Sequence, residues 1–104
     1  MCGFTGYIDS KGISNSEAIL KMLELQRHRG PDDSGVVGIN FNQSTFEEVG
    51  VKQPFGFTVS PDLIFGFNRL SILDTSPAGH QPMIHPRRKV VLMMNGEVYN
   101  AFDY

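Results

Sequence analysis

The chain has 104 residues, 40% of them hydrophobic, and nine Lys and Arg against eleven Asp and Glu give a net charge of −2. This length suits one domain with a modest core, and the balanced charge offers no basic patch for nucleic acid or an anionic membrane. Without a run that is long and apolar enough for a signal peptide or a membrane span, we expect a soluble cytoplasmic protein whose partners are small molecules or proteins.

The first elements along the chain have clear boundaries. Glycine and aromatic residues in Gly3–Ile8 predict a strand, and the polar residues Asp9–Gly12 predict a turn. Ser14 and Glu17 have the S-x-x-E spacing of a capping box. Apolar residues then recur at helical spacing, which predicts a helix from about residue 15 to residue 28.

The rest of the chain favours strands. Gly30 occupies the position after the predicted helix where a residue in the left-handed conformation commonly forms the C-cap, and Pro31 follows it. We therefore expect the helix to end there. Short apolar runs punctuated by glycine, proline, asparagine or aspartate follow, and Asp74–Arg88, with three prolines, predicts a long irregular loop. One strand, one helix and then mostly antiparallel strands indicate an α+β domain. The predicted strands after the helix are Val36–Phe41, Thr45–Val51, Phe55–Val59, Leu63–Phe67 and Val90–Met94.

Cys2 is the only cysteine, so the chain cannot form an internal disulfide. Its small side chain would allow removal of Met1, which would leave a free α-amino group on the same residue as the thiol. Such an amine, with a pKa of about 7.7–8.0, can act as the base for the thiol. The alternative is a small hydrophobic residue at the start of a strand, and the local sequence alone favours that alternative.

Three other residues, in two segments, are candidates for a chemical role. Asn95 and Gly96 follow an apolar run, so a side-chain amide and a backbone N–H could hold the oxygen of a tetrahedral intermediate, although Asn-Gly is also the commonest hairpin turn. Arg69 stands among apolar residues and could grip a carboxylate bidentately, or lie on a polar surface. The three histidines lack metal-ligand spacing, so no metal site is predicted.

Four separate motifs, in order, resemble the class II glutamine amidotransferases. They are "MCGFTGYID" at the N-terminus, "RHRGPDDSG" at 27–35, "FNRLSILDTSPAGHQPM" at 67–83 and "MNGEVYN" at 94–100. The residues of these motifs most resemble those in the N-terminal domain of glutamine-hydrolysing asparagine synthetase. Any one motif is a weak signal, but four in order are hard to obtain by chance.

The resemblance implies a fold and a set of site residues. The fold is the four-layer αββα sandwich of N-terminal-nucleophile hydrolases, of which residues 1–104 would supply only the N-terminal half of an incomplete, truncated domain. Cys2 would be the nucleophile that forms a thioester with glutamine and releases ammonia. Asn95 and Gly96 would form the oxyanion hole, and Arg69 would bind the α-carboxylate of glutamine. The remaining substrate-binding residues would be Leu70, Ser71, Ile72 and Leu73 along the pocket strand and Glu97 near the amino-acid end of the substrate.

The resemblance also implies partners. Glutamine would be the substrate, and a synthetase domain or subunit for asparagine biosynthesis would receive the ammonia; ATP and Mg²⁺ would belong only to that domain, with no cofactor in this segment. Two alternatives stay open: a catalytically inert remnant or docking module of such an enzyme, and another class II amidotransferase with a different nitrogen acceptor. The segment Asn42–Asp62 is longer than expected for a compact asparagine synthetase, which suggests a variant subfamily.

Overall fold

The computed structural model describes residues 2–70, 79–85 and 87–95. The described elements are β1 Gly3–Ile8, α1 Ala18–Leu25, β2 Asp33–Asn40, β3 Thr45–Val49, β4 Leu63–Arg69, β5 Met83–Ile84 and β6 Val91–Leu92, with a 3₁₀ turn at Arg27–Arg29 after α1. A four-stranded antiparallel sheet has the strand order β1-β4-β2-β3, and a two-stranded antiparallel sheet pairs β5 with β6. The predicted α+β class with antiparallel strands is therefore confirmed.

Strand β4 organises the main sheet because it pairs with both β1 and β2. Its residue Asn68 lies opposite Gly3 on one side and Ser34 on the other. Side chains of a strand alternate between the two faces of its sheet. We call the face that carries Ile64, Gly66 and Asn68 the helix face, and the face that carries Phe65, Phe67 and Arg69 the opposite face.

The hydrophobic core lies between α1 and the helix face. Ile19, Leu23, Val36 and Ile64 form its buried cluster, and burying each such side chain contributes about 1.5–3 kcal/mol. The helix can approach closely because Gly66 has no side chain: a Cβ there would lie 3.0 Å from Cδ1 of Ile19 and from Cδ2 of Leu23. The glycine in the middle of β4 thus sets the distance between helix and sheet.

The helix is shorter than the sequence predicts. It begins at Ala18, and Glu17 at its N-cap makes no side-chain capping bond, so the predicted capping box is wrong. The preceding turn is held by a tertiary contact instead: the Tyr7 hydroxyl lies 2.8 Å from the carbonyl oxygen of Asn15 and 3.2 Å from that of Ser16. Burial raises the pKa of this hydroxyl above its ordinary value of 10.0.

Gly30 does not have the left-handed conformation that a C-cap prediction requires, since its φ is −160°. Its role is close packing, because a Cβ at this position would collide with the backbone of Asn68 and Arg69 at the end of β4. The next residues continue along that strand end, and the Asp32 N–H donates to the Arg69 carbonyl oxygen at 3.0 Å. Strand β2 therefore begins at Asp33, earlier than predicted.

The prediction of a strand at Phe55–Val59 is wrong. These residues form a loop whose rings Phe55 and Phe57 pack against the core in an edge-to-face pair, with centroids 5.6 Å apart. The loop is tied to β3 by Glu47, whose carboxylate accepts from the Thr58 N–H at 2.7 Å, the Thr58 hydroxyl at 2.9 Å and the Val59 N–H at 3.2 Å. A carboxylate thus takes the place of a partner strand.

The C-terminal part of the chain also differs from its prediction. The apolar run at 90–94 contributes only the two residues of β6, and the predicted irregular loop contains the strand β5. The described helix is too short to cross a membrane. The arrangement of two antiparallel sheets in the described residues is compatible with the predicted sandwich, whose four layers stay a prediction.

Candidate active site

The Cys2 thiol lies at the end of β4. The backbone N–H of Leu70 points to the sulfur at 3.2 Å, and the sulfur lies 3.7 Å from the Leu70 carbonyl oxygen. This placement follows from the register, because Gly3 pairs with Asn68 and the residue before Gly3 must then lie beside the end of β4. The sulfur is partly buried, and the adjacent N–H can donate to a thiolate.

The backbone of Cys2 is held as well. Arg29, in the 3₁₀ turn after α1, donates from its Nε to the Cys2 carbonyl oxygen at 3.2 Å. Gly3 lets the start of β1 lie close to the helix end, since a Cβ there would lie 3.0 Å from Oε1 of Gln26. The helix end therefore fixes the peptide on one side of the thiol, while β4 fixes the sulfur itself.

Arg69 is the last residue of β4 and is only 7% exposed. It stands on the opposite face, directly before the Leu70 backbone that contacts the Cys2 sulfur. Gly79 lies against its guanidinium so closely that a Cβ on Gly79 would collide with it. The surface alternative for Arg69 is wrong, because the strand pairing places this end of β4 between β1 and β2.

Residues 79–82, which we call the site loop, lie on the opposite face beside Arg69. His80 bridges two strands, with Nδ1 at 2.5 Å from Oδ2 of Asp33 and Nε2 at 3.1 Å from Oε1 of Glu48. The Gln81 carbonyl oxygen and the His80 ring fit over Gly35, where any side chain would collide with them. The loop is thus attached to β2 and β3.

Asn95 is exposed and follows a residue that is tied to the site loop. The Gln81 side-chain amide accepts from the Met94 N–H at 2.8 Å and donates to the Met94 carbonyl oxygen at 3.3 Å. The structure thus joins Cys2 and Leu70 directly and links the segment before Asn95 to the site loop. The other predicted site residues, Ser71, Ile72, Leu73, Gly96 and Glu97, lie outside the described residues.

Sequence reasoning missed Arg29, His80 and Gln81 as parts of this region. The two carboxylates that face His80 come from positions 47 and 32 residues away along the chain, so no local spacing reveals the cluster. For Arg29 the motif "RHRGPD" is a signal, but the end of the helix already explains its positive charges. Only the pairing of β1 with β4 shows that this arginine reaches the Cys2 backbone.

A cavity of about 610 Å³ lies on the other side of the sheet, between α1, the turn after it and the loop at 50–52. Its lining includes the charged side chains of Glu24, Arg27 and Lys52. Neither Cys2 nor Arg69 lines it. Most of its lining lies on the helix face, but it also includes Asp33, which contacts His80 on the opposite face.

Comparison with known proteins gives a consistent result. Residues 43–103, more than half of the chain, match the glutamine amidotransferase domain family. A putative glutamine-hydrolysing asparagine synthetase 2 of Methanocaldococcus jannaschii is 32% identical over 99% of this chain and 19% of its own length. A putative glutamine-hydrolysing asparagine synthetase of Mycobacterium tuberculosis is 33% identical over 99% of the chain and 15% of its own length.

The same relationship extends to asparagine synthetase B of Escherichia coli, which is 32% identical over 96% of this chain and 14% of its own length. The chain spans less than a fifth of the length of these relatives. No solved structure matches it.

Proposed function

We propose, from the premise that the chain belongs to the glutamine amidotransferase domain family, that it hydrolyses the side-chain amide of glutamine with Cys2 as the nucleophile. In this proposal residues 1–104 are the N-terminal part of a four-layer N-terminal-nucleophile domain. The observation that carries it is the end of β4, where the Leu70 backbone contacts the Cys2 sulfur and the preceding residue is the buried Arg69. In the proposal, Cys2 acts as the nucleophile and Arg69 binds the substrate carboxylate at this end of β4.

The first half of the reaction makes a thioester. After removal of Met1, the free α-amino group of Cys2 takes the thiol proton, and the sulfur attacks the amide carbon. The amide oxygen becomes an oxyanion, which accepts hydrogen bonds from the Asn95 side chain and the Gly96 N–H. When the intermediate collapses, the C–N bond breaks and the nitrogen leaves as ammonia with the proton from the α-ammonium group.

The second half consumes water. The α-amino group takes a proton from water, whose oxygen attacks the thioester carbon, and the C–S bond breaks to give glutamate and the free thiol. Glutamine and water are thereby converted to glutamate and ammonia, with no external oxidant or reductant. No metal or cofactor is needed for these proton transfers.

Recognition of the substrate is assigned to the same strand end. Arg69 binds the α-carboxylate of glutamine with its planar guanidinium, which suits a bidentate contact. Leu70 contributes its backbone, and Glu97 contacts the amino-acid end. The other members of the proposed pocket are Ser71, Ile72 and Leu73.

The ammonia passes to an asparagine synthetase-like domain that uses ATP and Mg²⁺. This part of the proposal rests on the relatives, which carry the name asparagine synthetase. A different nitrogen acceptor would leave the glutamine site unchanged, because the same half-reaction supplies ammonia in every case.

The test is glutamate release by the purified chain in the presence of glutamine. Intact mass identifies preparations that lack Met1, and preparations that retain it serve as the matched control. We expect turnover only without Met1, and a loss of at least about 10³-fold in Cys2→Ala, because no other thiol is present. Turnover that survives in Cys2→Ala, or its absence in the processed chain, contradicts the proposal and favours an inert remnant or docking module.

A further inference from the structure

The Gln81 side chain occupies an unusual position between two backbone segments. The Gln81 amide oxygen accepts from the Met94 N–H, and the amide nitrogen donates to the Met94 carbonyl oxygen. This pair of bonds resembles the backbone pairing that a neighbouring strand would provide. Met94 immediately precedes Asn95. Any movement of the Gln81 amide therefore moves the peptide from which Asn95 extends.

The other end of the Gln81 residue is fixed to the main sheet. Its carbonyl oxygen lies over Gly35 in β2, and the next residue, Pro82, is buried. The preceding residue, His80, is held between the carboxylates of Asp33 and Glu48. The site loop is thus attached on three sides, and its position is defined by β2 and β3.

Asn95 itself is exposed, so packing around its side chain does not fix its position. An oxyanion donor must lie 2.7–3.1 Å from the developing charge, and displacements well below 1 Å weaken it. An exposed donor that lies three residues beyond the end of β6 needs a rigid attachment to meet this demand. Gln81 supplies one, since its two bonds join the Asn95 segment to the same sheet that carries Cys2.

We infer that Gln81 is a positioning residue for the oxyanion donor Asn95, an inference that rests on the proposed function. Gln81 acts through the Met94 peptide and holds Asn95 at a set distance from β4. Its contribution is made in the transition state, where the charge on the oxygen is largest, and the affinity for glutamine depends on other groups.

Gln81→Met removes both bonds to Met94 with little change in side-chain size. We expect kcat for glutamine hydrolysis to fall about 10–100-fold, less than the 10²–10³-fold expected when such a donor is deleted, with KM changed less than about threefold. Gln43→Met, the same substitution at an exposed position in the turn after β2, is the matched control. We expect the control to keep both constants.

A second measurement separates positioning from misfolding. Iodoacetamide alkylates a thiolate by displacement of iodide, so it needs the sulfur but no oxyanion donor. Because Cys2 is the only cysteine, the rate and the stoichiometry of its alkylation report the intact end of β4. We expect Gln81→Met to alkylate as fast as the unsubstituted chain while it hydrolyses glutamine more slowly.

A kcat within twofold of the unsubstituted chain overturns the inference, and so does a parallel change in alkylation and hydrolysis. If Gln81→Met does not fold, Gln81→Glu replaces it, because its carboxylate still accepts from the Met94 N–H; kcat must then also fall with KM preserved. If the unsubstituted chain shows no turnover, the proposed function is contradicted and the inference falls with it. If the unsubstituted chain turns over and Gln81→Met keeps its kcat, only the inference is contradicted.

Discussion

Asn68 and Arg69 are consecutive buried polar residues of β4, and they show how differently the two faces of the sheet use such side chains. Asn68, 1% exposed on the helix face, donates to the Leu23 carbonyl oxygen at 2.8 Å and accepts from the Ser34 hydroxyl at 2.8 Å. Arg69, 7% exposed on the opposite face, lies beside the site loop and the Cys2 contact. One residue joins the helix to the sheet, and its neighbour lies against Gly79 of the site loop.

The same division recurs on β3. Glu47 holds the loop at 55–59 on the helix face, and the next residue, Glu48, meets His80 on the opposite face. Polar groups on the helix face therefore close the fold, while those on the opposite face arrange the site loop. The difference predicts that substitutions on the two faces separate stability from activity.

The largest effect is expected on the opposite face. Arg69→Met removes the proposed contact with the α-carboxylate of glutamine, and loss of a charged hydrogen bond of about 1.5–3 kcal/mol corresponds to a KM about 10–100-fold higher. The comparison substrate is 4-aminobutyramide, which lacks the α-carboxylate. We expect the unsubstituted chain to prefer glutamine strongly and Arg69→Met to lose that preference.

Arg27→Met provides the matched control for this prediction. Arg27 lies in the same 3₁₀ turn as Arg29, but its side chain is 69% exposed and its ion pair with Glu24 is long, at 3.7 Å. Such surface pairs contribute little. An unchanged KM in Arg69→Met, or an equal change in Arg27→Met, would mean that Arg69 does not recognise the carboxylate.

A smaller effect is expected at Asn68, where the substitution should lower stability and leave KM unchanged. Asn68→Ala removes two buried hydrogen bonds, one to the Leu23 carbonyl oxygen, which keeps the Gln26 N–H as a donor, and one from the Ser34 hydroxyl. We expect their loss to cost about 1–3 kcal/mol of unfolding free energy, measured by urea denaturation. KM for glutamine should stay the same below the unfolding transition.

Asn40→Ala is the control. The Asn40 side chain donates to the Ser60 carbonyl oxygen and accepts from the Gln43 N–H, but it is less buried than Asn68. Equal losses of unfolding free energy in the two variants would show that burial does not set the cost.

The smallest effect is expected at Glu47. Desolvation raises the pKa of this carboxyl, but the bonds from Thr58 and Val59 together outweigh it and hold the pKa below the ordinary value of 4.5. The bonds therefore stabilise the fold fully above that value, and this contribution is lost as the pH falls through the lowered folded value. Because the group is only partly buried and solvent screens its contacts, we expect Glu47→Gln to lose less than about 1 kcal/mol at pH 7.

Urea denaturation of Glu47→Gln and the unsubstituted chain at pH 7 and pH 3 measures this difference. The difference in unfolding free energy between the variant and the unsubstituted chain should shrink at pH 3. The two should hydrolyse glutamine at the same rate at pH 7. A gap that stays constant with pH would assign the effect to packing, and a loss of turnover would break the separation of the two faces.

Local patterns predicted the elements that local interactions determine. The strand at Gly3–Ile8 and most of β2, β3 and β4 follow from short apolar runs and turn residues, and these strands are confirmed with changed ends for β2, β3 and β4. The helix is shorter than predicted because Tyr7, a residue of β1, binds the turn before it, and helical spacing does not show this contact. The loop at 55–59 was mistaken for a strand because a single carboxylate, Glu47, satisfies its N–H groups.

The candidate site shows a similar limit. The motifs singled out Cys2, Arg69 and Asn95, because their residue types carry the chemistry. They did not reveal Arg29 or the His80 cluster, since the contacts of these residues depend on strand register across long separations. Residue types thus indicate the reacting groups, whereas the supporting groups emerge only when the pairing of β1, β2 and β4 is known.

The position of β1 at the edge of the main sheet has a consequence for folding kinetics. Strands β2 and β3 form a hairpin with a short turn, whereas the Cys2 sulfur meets a backbone partner 68 residues away. Each doubling of a closing loop costs about 0.6 kcal/mol more, so contacts of long separation form late. We expect β1 to dock after the hairpin has formed, which makes the thiol contact one of the last native interactions to appear during refolding.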